Sequence, residues 1–184
     1  MYGITKLLNI TKNINNIKII IVENNGKRGT ILDNLGCDVY YTMNNFLPTS
    51  NIGYKELQDI FDCITNYNIL DSDFIIKMTG RYIIEENSEF ISIINKISNN
   101  KIDVDCVIKY GSYFKPVDYK MKDCITGLIG MKCKYIKQIE YPNNNDSVEW
   151  NWAKTTYLMD DNKIIKVDKL GINICPGGNN YFLV

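Results

Sequence analysis

The stretch Asp73-Phe74-Ile75-Ile76-Lys77-Met78-Thr79-Gly80-Arg81-Tyr82 decides how the chain is read. A Phe-Ile-Ile run bounded by polar residues reads as a buried central strand, because a strand covered on both faces loses the polar alternation of a half-exposed one. Gly80 then allows a sharp turn or a close approach of backbone to ligand. Lys77 and Arg81 stand at the strand's exit. In open α/β sheets ligands bind beyond the C-terminal ends of strands, so two cations there suit an anion such as a diphosphate. The plainer reading is a strand, a turn and two solvated charges.

Upstream of this strand, Asn51-Ile52-Gly53 opens a helix whose Tyr54, Leu57, Ile60, Phe61, Ile64 and Tyr67 share one face. Asp71-Ser72-Asp73 joins it to the strand and reads as a solvated turn. Residues 3–14 carry Ile4, Leu7, Leu8, Thr11 and Ile14 at helical spacing. Ile17 to Val22 reads as a strand running into the polar loop Glu23-Asn24-Asn25-Gly26-Lys27-Arg28-Gly29. A brief helix from Thr30 to Leu35 ends at Gly36, a left-handed cap, and Cys37 to Thr42 is a second strand.

Downstream, Ser88 is placed to N-cap a helix carrying Phe90, Ile91, Ile94 and Ile97. Val104 to Tyr110 and Ile125 to Met131 are strand candidates, and Lys134 to Ile139 a short helix. Asp146-Ser147-Val148-Glu149 opens a helix with Trp150, Ala153 and Tyr157. Strands at Lys163 to Val167 and Leu170 to Cys175 lead to Pro176-Gly177-Gly178-Asn179-Asn180. Strands alternating with helices predict a single α/β domain over 1–184, with a mixed, mainly parallel sheet and helices on both faces.

Composition narrows the function classes. Lys plus Arg balances Asp plus Glu at 21 each, so no overall field favours nucleic acid or an anionic membrane. The chain has no histidine, which excludes Ser-His-Asp and Cys-His hydrolases and His-containing zinc sites. Six scattered cysteines lack zinc spacing, and four or five of them read as small buried hydrophobes, in a reducing compartment. Apolar runs such as Ile19-Ile20-Ile21-Val22 are strand-length, far short of the roughly 20 residues of a membrane span.

Taken in order, Lys18 to Asn25, Asp38 to Thr42, Asn51 to Gly53, Phe74 to Tyr82, Cys124 to Met131 and Val148 to Trp150 resemble the GT-A-type glycosyltransferases. They most resemble the small glycosyltransferase-like proteins of giant viruses of the mimivirus kind. The resemblance implies a nucleotide-sugar half over about 1–110 and an acceptor half over about 111–184. It implies transfer of a sugar from a nucleotide-diphosphate donor to a glycan or protein acceptor, in a host cytoplasm, viral factory or virion. It puts Glu23, Asn24 and Asn25 near the base or ribose, and Asn51 and Gly53 near the donor. It puts Lys77, Gly80 and Arg81 at the diphosphate, and Thr126, Gly127 and Trp150 at the acceptor.

The sequence departs from the GT-A pattern in three ways. Asp-x-Asp, which would hold a divalent metal such as manganese, is replaced at the strand's exit by Lys77 and Arg81. The expected reaction therefore needs no metal cofactor, the cations meeting the charge of the leaving group. The Asp71-Ser72-Asp73 triplet lies at the opposite end of the strand. A histidine ligand many members use is missing, and a helix stands where the fold normally opens with a strand, so the resemblance implies that this strand is lost or that the chain starts late.

A proton acceptor for the attacking hydroxyl is expected at Glu149, with Asp123 as second candidate. The competing role of Glu149 is in a capping box with Asp146. Of Trp150 and Trp152, one is expected to be buried and the other to offer a ring to a sugar. The loop Tyr110-Gly111-Ser112-Tyr113 with Lys115 reads as solvated, with the alternative that it covers the site. The alternative function is a non-catalytic, GT-A-like binding or virion-associated protein.

Overall fold

The computed structural model describes residues 2–113, 115, 117–143, 145–175 and 181–184; the predicted Pro176–Asn180 tail lies outside them. In chain order the elements are α1 (Tyr2–Thr11), β1 (Ile20–Glu23), β2 (Asp38–Tyr41), α2 (Ile52–Asn66), β3 (Phe74–Met78), β4 (Ile83–Ile84) and α3 (Glu89–Ser98). There follow β5 (Cys106–Ile108), β6 (Leu128–Lys132), α4 (Cys133–Ile136), α5 (Val148–Thr155), β7 (Ile164–Lys166), β8 (Ile172–Ile174) and β9 (Phe182–Leu183). The Thr30 to Leu35 segment is a 3-10 turn over Ile31–Asn34. Thr30 accepts from Leu32 N and Asp33 bonds back to Thr30 N, a true capping box. Gly36 follows at φ 75°, the left-handed position expected of it.

The predicted mainly parallel sheet is not what forms. Among the described residues the strands make three sheets, ordered β1-β2, β3-β6-β5-β7 and β4-β8-β9. Only β1–β2 and β5–β7 pair in parallel; β6 lies antiparallel to both β3 and β5. The cause is the connection from β5 to β6. The described residues of 109–127 contain no helix, and Tyr110 bridges Cys124 antiparallel, so the chain returns as a wide hairpin instead of crossing over. The two-residue strands β4 and β9 escape a sequence reading because their pairing with β8, not their own pattern, makes them strands.

A second expectation also fails. The Phe-Ile-Ile run is not central: β3 is an edge strand of the four-stranded sheet, and Ile76 is 37% exposed. The central pair is β6 and β5. Alternate residues there feed two cores. Cys106, Ile108, Ile129 and Met131 meet Leu57 and Ile64 of α2, Ile136 of α4 and Trp152 of α5. Val107 and Leu128 meet Phe90, Ile93 and Ile94 of α3, together with Ile84, Ile172 and Ile174. Helices therefore cover both faces, as the alternation of elements predicts, and the domain is mixed α/β.

All six cysteines are free. Cys106, Cys124 and Cys133 are buried in the first of these cores and Cys63 is buried on α2, while Cys37 and Cys175 are half-buried. No helix among the described residues is long and apolar enough to cross a membrane.

Candidate functional site

Six segments converge on a cleft of about 800 Å³: the ends of β1 and β3, the starts of α2 and α5, the turn before β6 and the loop after β5. Its volume is within the roughly 300–1,000 Å³ of small-molecule sites.

The turn after β3 supplies its cations. Thr79 N donates to Gly127 O and Tyr82 N to Thr79 O, which closes the turn and tethers it to the segment before β6. α1 lies against the turn's far side: a Cβ on Gly3 would come within 2.2 Å of Tyr82 O, so only glycine lets the helix approach. The Lys6–Glu85 ion pair, 2.8 Å, fastens the same region. Gly80, expected to enable the turn, is not required by it. Its φ is not positive, and a Cβ there would meet nothing nearer than 4.0 Å.

Lys77 and Arg81 enter the cleft in different states. Lys77 is buried and its ammonium is saturated, donating to Glu56 Oε1 at 2.8 Å, Thr126 O at 2.6 Å and Thr79 Oγ1 at 3.1 Å. Arg81 is exposed and lies over the Tyr82 ring at 5.7 Å; no carboxylate among the described residues pairs with it. Tyr82 packs against Gly127, where a Cβ would fall 2.5 Å from the ring. Tyr113, from the loop expected to be solvated, also lines the cleft and is hydrogen-bonded to Tyr82. Burial, with the neighbouring Tyr82 adding, pushes its phenol up to about 12.

Glu149 stands in the first turn of α5, where the helix dipole favours a carboxylate. Its Oε1 accepts from Thr126 Oγ1 at 3.1 Å, and its Oε2 accepts a short bond from Ser147 Oγ. The alternative capping box is absent: the N-cap is Ser147, not Asp146, and no side chain caps the helix. Two hydroxyls thus hold Glu149 in place at the cleft wall.

The amides predicted to meet a donor do line the cleft, with their polar atoms already engaged. Asn51 Oδ1 accepts from Tyr54 N, capping α2, while its Nδ2 donates to Asn143 O and Asp146 O. Asn24 Nδ2 donates to Asp59 Oδ2, and Asn25 lies between Glu23 Oε1 and Asn45 Nδ2. Buried Asp59 also accepts from Thr42 and Asn44, fastening the loops after β1 and β2 to α2. Gly53 serves packing: a Cβ would sit 2.6 Å from both Cβ and Cγ1 of Val148, so α2 and α5 start in contact because it has none.

Four predicted site residues are not in the lining. Glu23 folds back on Asn25 N and Nδ2. Gly80 is in the turn behind. Asp123 is exposed as a residue and accepts from Cys124 N; partial desolvation of its carboxyl, with the Glu149 charge adding, raises it above its ordinary value. Trp150 is 52% exposed on α5 outside the cleft, whereas Trp152 is in the core, the division the sequence predicts. Asp71 and Asp73 form an exposed turn at the other end of β3, where Asp71 pairs with Lys137 at 2.6 Å.

Sequence reasoning missed Glu56, Thr79, Tyr82, Tyr113 and Ser147. Glu56 was findable in principle, since it follows Ile52 and Gly53 by four and three residues and so shares their helix face. Tyr113 was legible only as part of the loop whose alternative reading was to cover the site, and it does line the cleft.

Compared with protein-family models and with curated proteins, the chain matches none of either. The reading of the cleft therefore rests on its own chemistry.

Proposed function

We propose that the cleft binds a nucleotide-diphosphate sugar and transfers its sugar to a hydroxyl of a glycan or protein acceptor. One observation carries this: a guanidinium with no carboxylate partner among the described residues, Arg81, and an oriented carboxylate, Glu149, line the same cleft as the starts of two helices. The first amides of α2 have no partner within the helix and add their partial positive charge to Arg81. A guanidinium fork suits the paired oxygens of a diphosphate. In the transfer the acceptor oxygen bonds to the anomeric carbon and its proton passes to Glu149. The bond from that carbon to the diphosphate breaks, and Arg81 meets the charge left on the leaving group.

The test is a thermal-shift screen of nucleotide sugars, with and without manganese, on wild type and Arg81→Ala. A donor that stabilises the wild type should lose at least tenfold in affinity in the variant, about 1.4 kcal/mol. Equal binding by both proteins removes Arg81 from the site.

A second reading, a non-catalytic binding module, is favoured by the saturation of Lys77, Asn25 and Asn51 with internal partners. Prolonged incubation with the best-binding donor separates the two: sugar release or transfer that Glu149→Gln abolishes supports the enzyme, and none under any metal condition supports the module.

A further inference from the structure

We infer that Glu56 is an exchangeable counter-ion that occupies Lys77 until an anion entering the cleft replaces it. The inference rests on the reading of the cleft as a diphosphate site. Lys77 has three N–H donors and three partners, so a phosphate oxygen can reach it only by exchange. The partners are not equally exchangeable. Thr126 O is main chain, in a segment fixed by Ile125 N donating to Lys109 O and Gly127 O accepting from Thr79 N. Thr79 lies two residues along the same strand end. Glu56 alone is a side chain reaching in from another element, and it is 38% exposed against 8% for Lys77.

Electrostatics couples the two events. A buried ammonium left without a counter-charge is strongly unfavourable, so Glu56 stays in place in an empty cleft. An incoming phosphate supplies the missing charge and frees the half-exposed Glu56 to turn toward water. The contact thus acts as a selectivity filter. Ligands without a strongly charged group cannot displace a carboxylate held at 2.8 Å, and a diphosphate can.

Calorimetric titration with inorganic pyrophosphate tests this on wild type, Glu56→Gln, Lys77→Met, the double variant and Arg81→Ala. With its competitor neutralised, Glu56→Gln should bind pyrophosphate on the order of tenfold tighter, the scale set by a half-exposed charge acting on a buried one. The gain should vanish in the Lys77→Met background, because the two residues act as one unit. Unchanged or weaker binding by Glu56→Gln, while Arg81→Ala loses affinity, overturns the exchange and leaves the diphosphate site standing. A gain that persists without Lys77 is a general charge effect and also overturns it. Absence of pyrophosphate binding by all the proteins overturns both readings. As a check that needs no variant, saturating wild type with pyrophosphate should shift the Glu56 side-chain carboxylate resonance in the NMR spectrum; an unmoved resonance refutes the exchange.

Discussion

Replacing Gly53 by alanine tests whether this glycine serves a ligand or the packing of two helices. The new Cβ would lie 2.6 Å from both Cβ and Cγ1 of Val148, closer than carbon atoms pack, so α5 or α2 must shift. Overpacking of this kind costs about 1–3 kcal/mol. Alanine's better helix propensity returns about 0.5–1 kcal/mol. The net loss, about 1 kcal/mol at the middle of these ranges and about 2.5 kcal/mol at their upper end, corresponds, for a chain of this size, to a fall of about 2–10 °C in melting temperature. Val148→Ala removes Cγ1 and keeps Cβ, one of the two clashing atoms. The double variant should therefore be less destabilised than the sum of the singles, by about 0.5–1 kcal/mol, the signature of direct contact. Thermal melts without ligand measure all three proteins. If Gly53→Ala melts like wild type, or the two changes are additive, the steric argument is wrong and the glycine belongs to ligand approach instead.

The remaining predictions concern the core and the acid limit. Trp152→Ala, which empties a site 2% exposed, should cost about 3–5 kcal/mol in urea unfolding, while Trp150→Ala, at 52% exposed, should cost well under half of that. Similar losses for both would contradict the assigned burial. Asp103 is held down at about 2 by hydrogen bonds from Lys132 and Lys163. Its pKa is lower folded than unfolded, so the stabilisation is fully present above about pH 4 and is lost as pH falls through about 2. Melting curves from pH 6 to pH 2 should show Asp103→Asn with a shallower acid limb than wild type. Parallel limbs would mean that these lysines do not depress it.

Much of the site's membership can be read from the chain before it folds. Asn24, Asn25, Asn51, Gly53, Lys77, Arg81, Thr126, Gly127 and Glu149 all line one cleft. They share a legible property, being polar or small residues at the ends of apolar runs, which in an α/β domain fall together at one edge of the sheet. Their partners were not legible. Nothing around Lys77 in sequence shows that Glu56, 21 residues earlier, neutralises it, because that contact depends on how α2 lies against β3. Nor does Asn51 reveal that both ends of its amide are already in use.

By itself the sequence determined that helices and strands alternate, which faces are apolar, that most of the cysteines are small core residues, and that this chain has no histidine to offer. These follow from composition and from periodicities of 3.6 and 2, which are local. Tertiary structure alone decided that β3 lies at an edge, that β6 runs antiparallel between β3 and β5, and that β4 and β9 are strands at all. It also decided which charges are spent internally and which face the cleft. Strand order, pairing direction and ion pairing are contacts between residues far apart in the chain. Their energies depend on distances that no local pattern encodes.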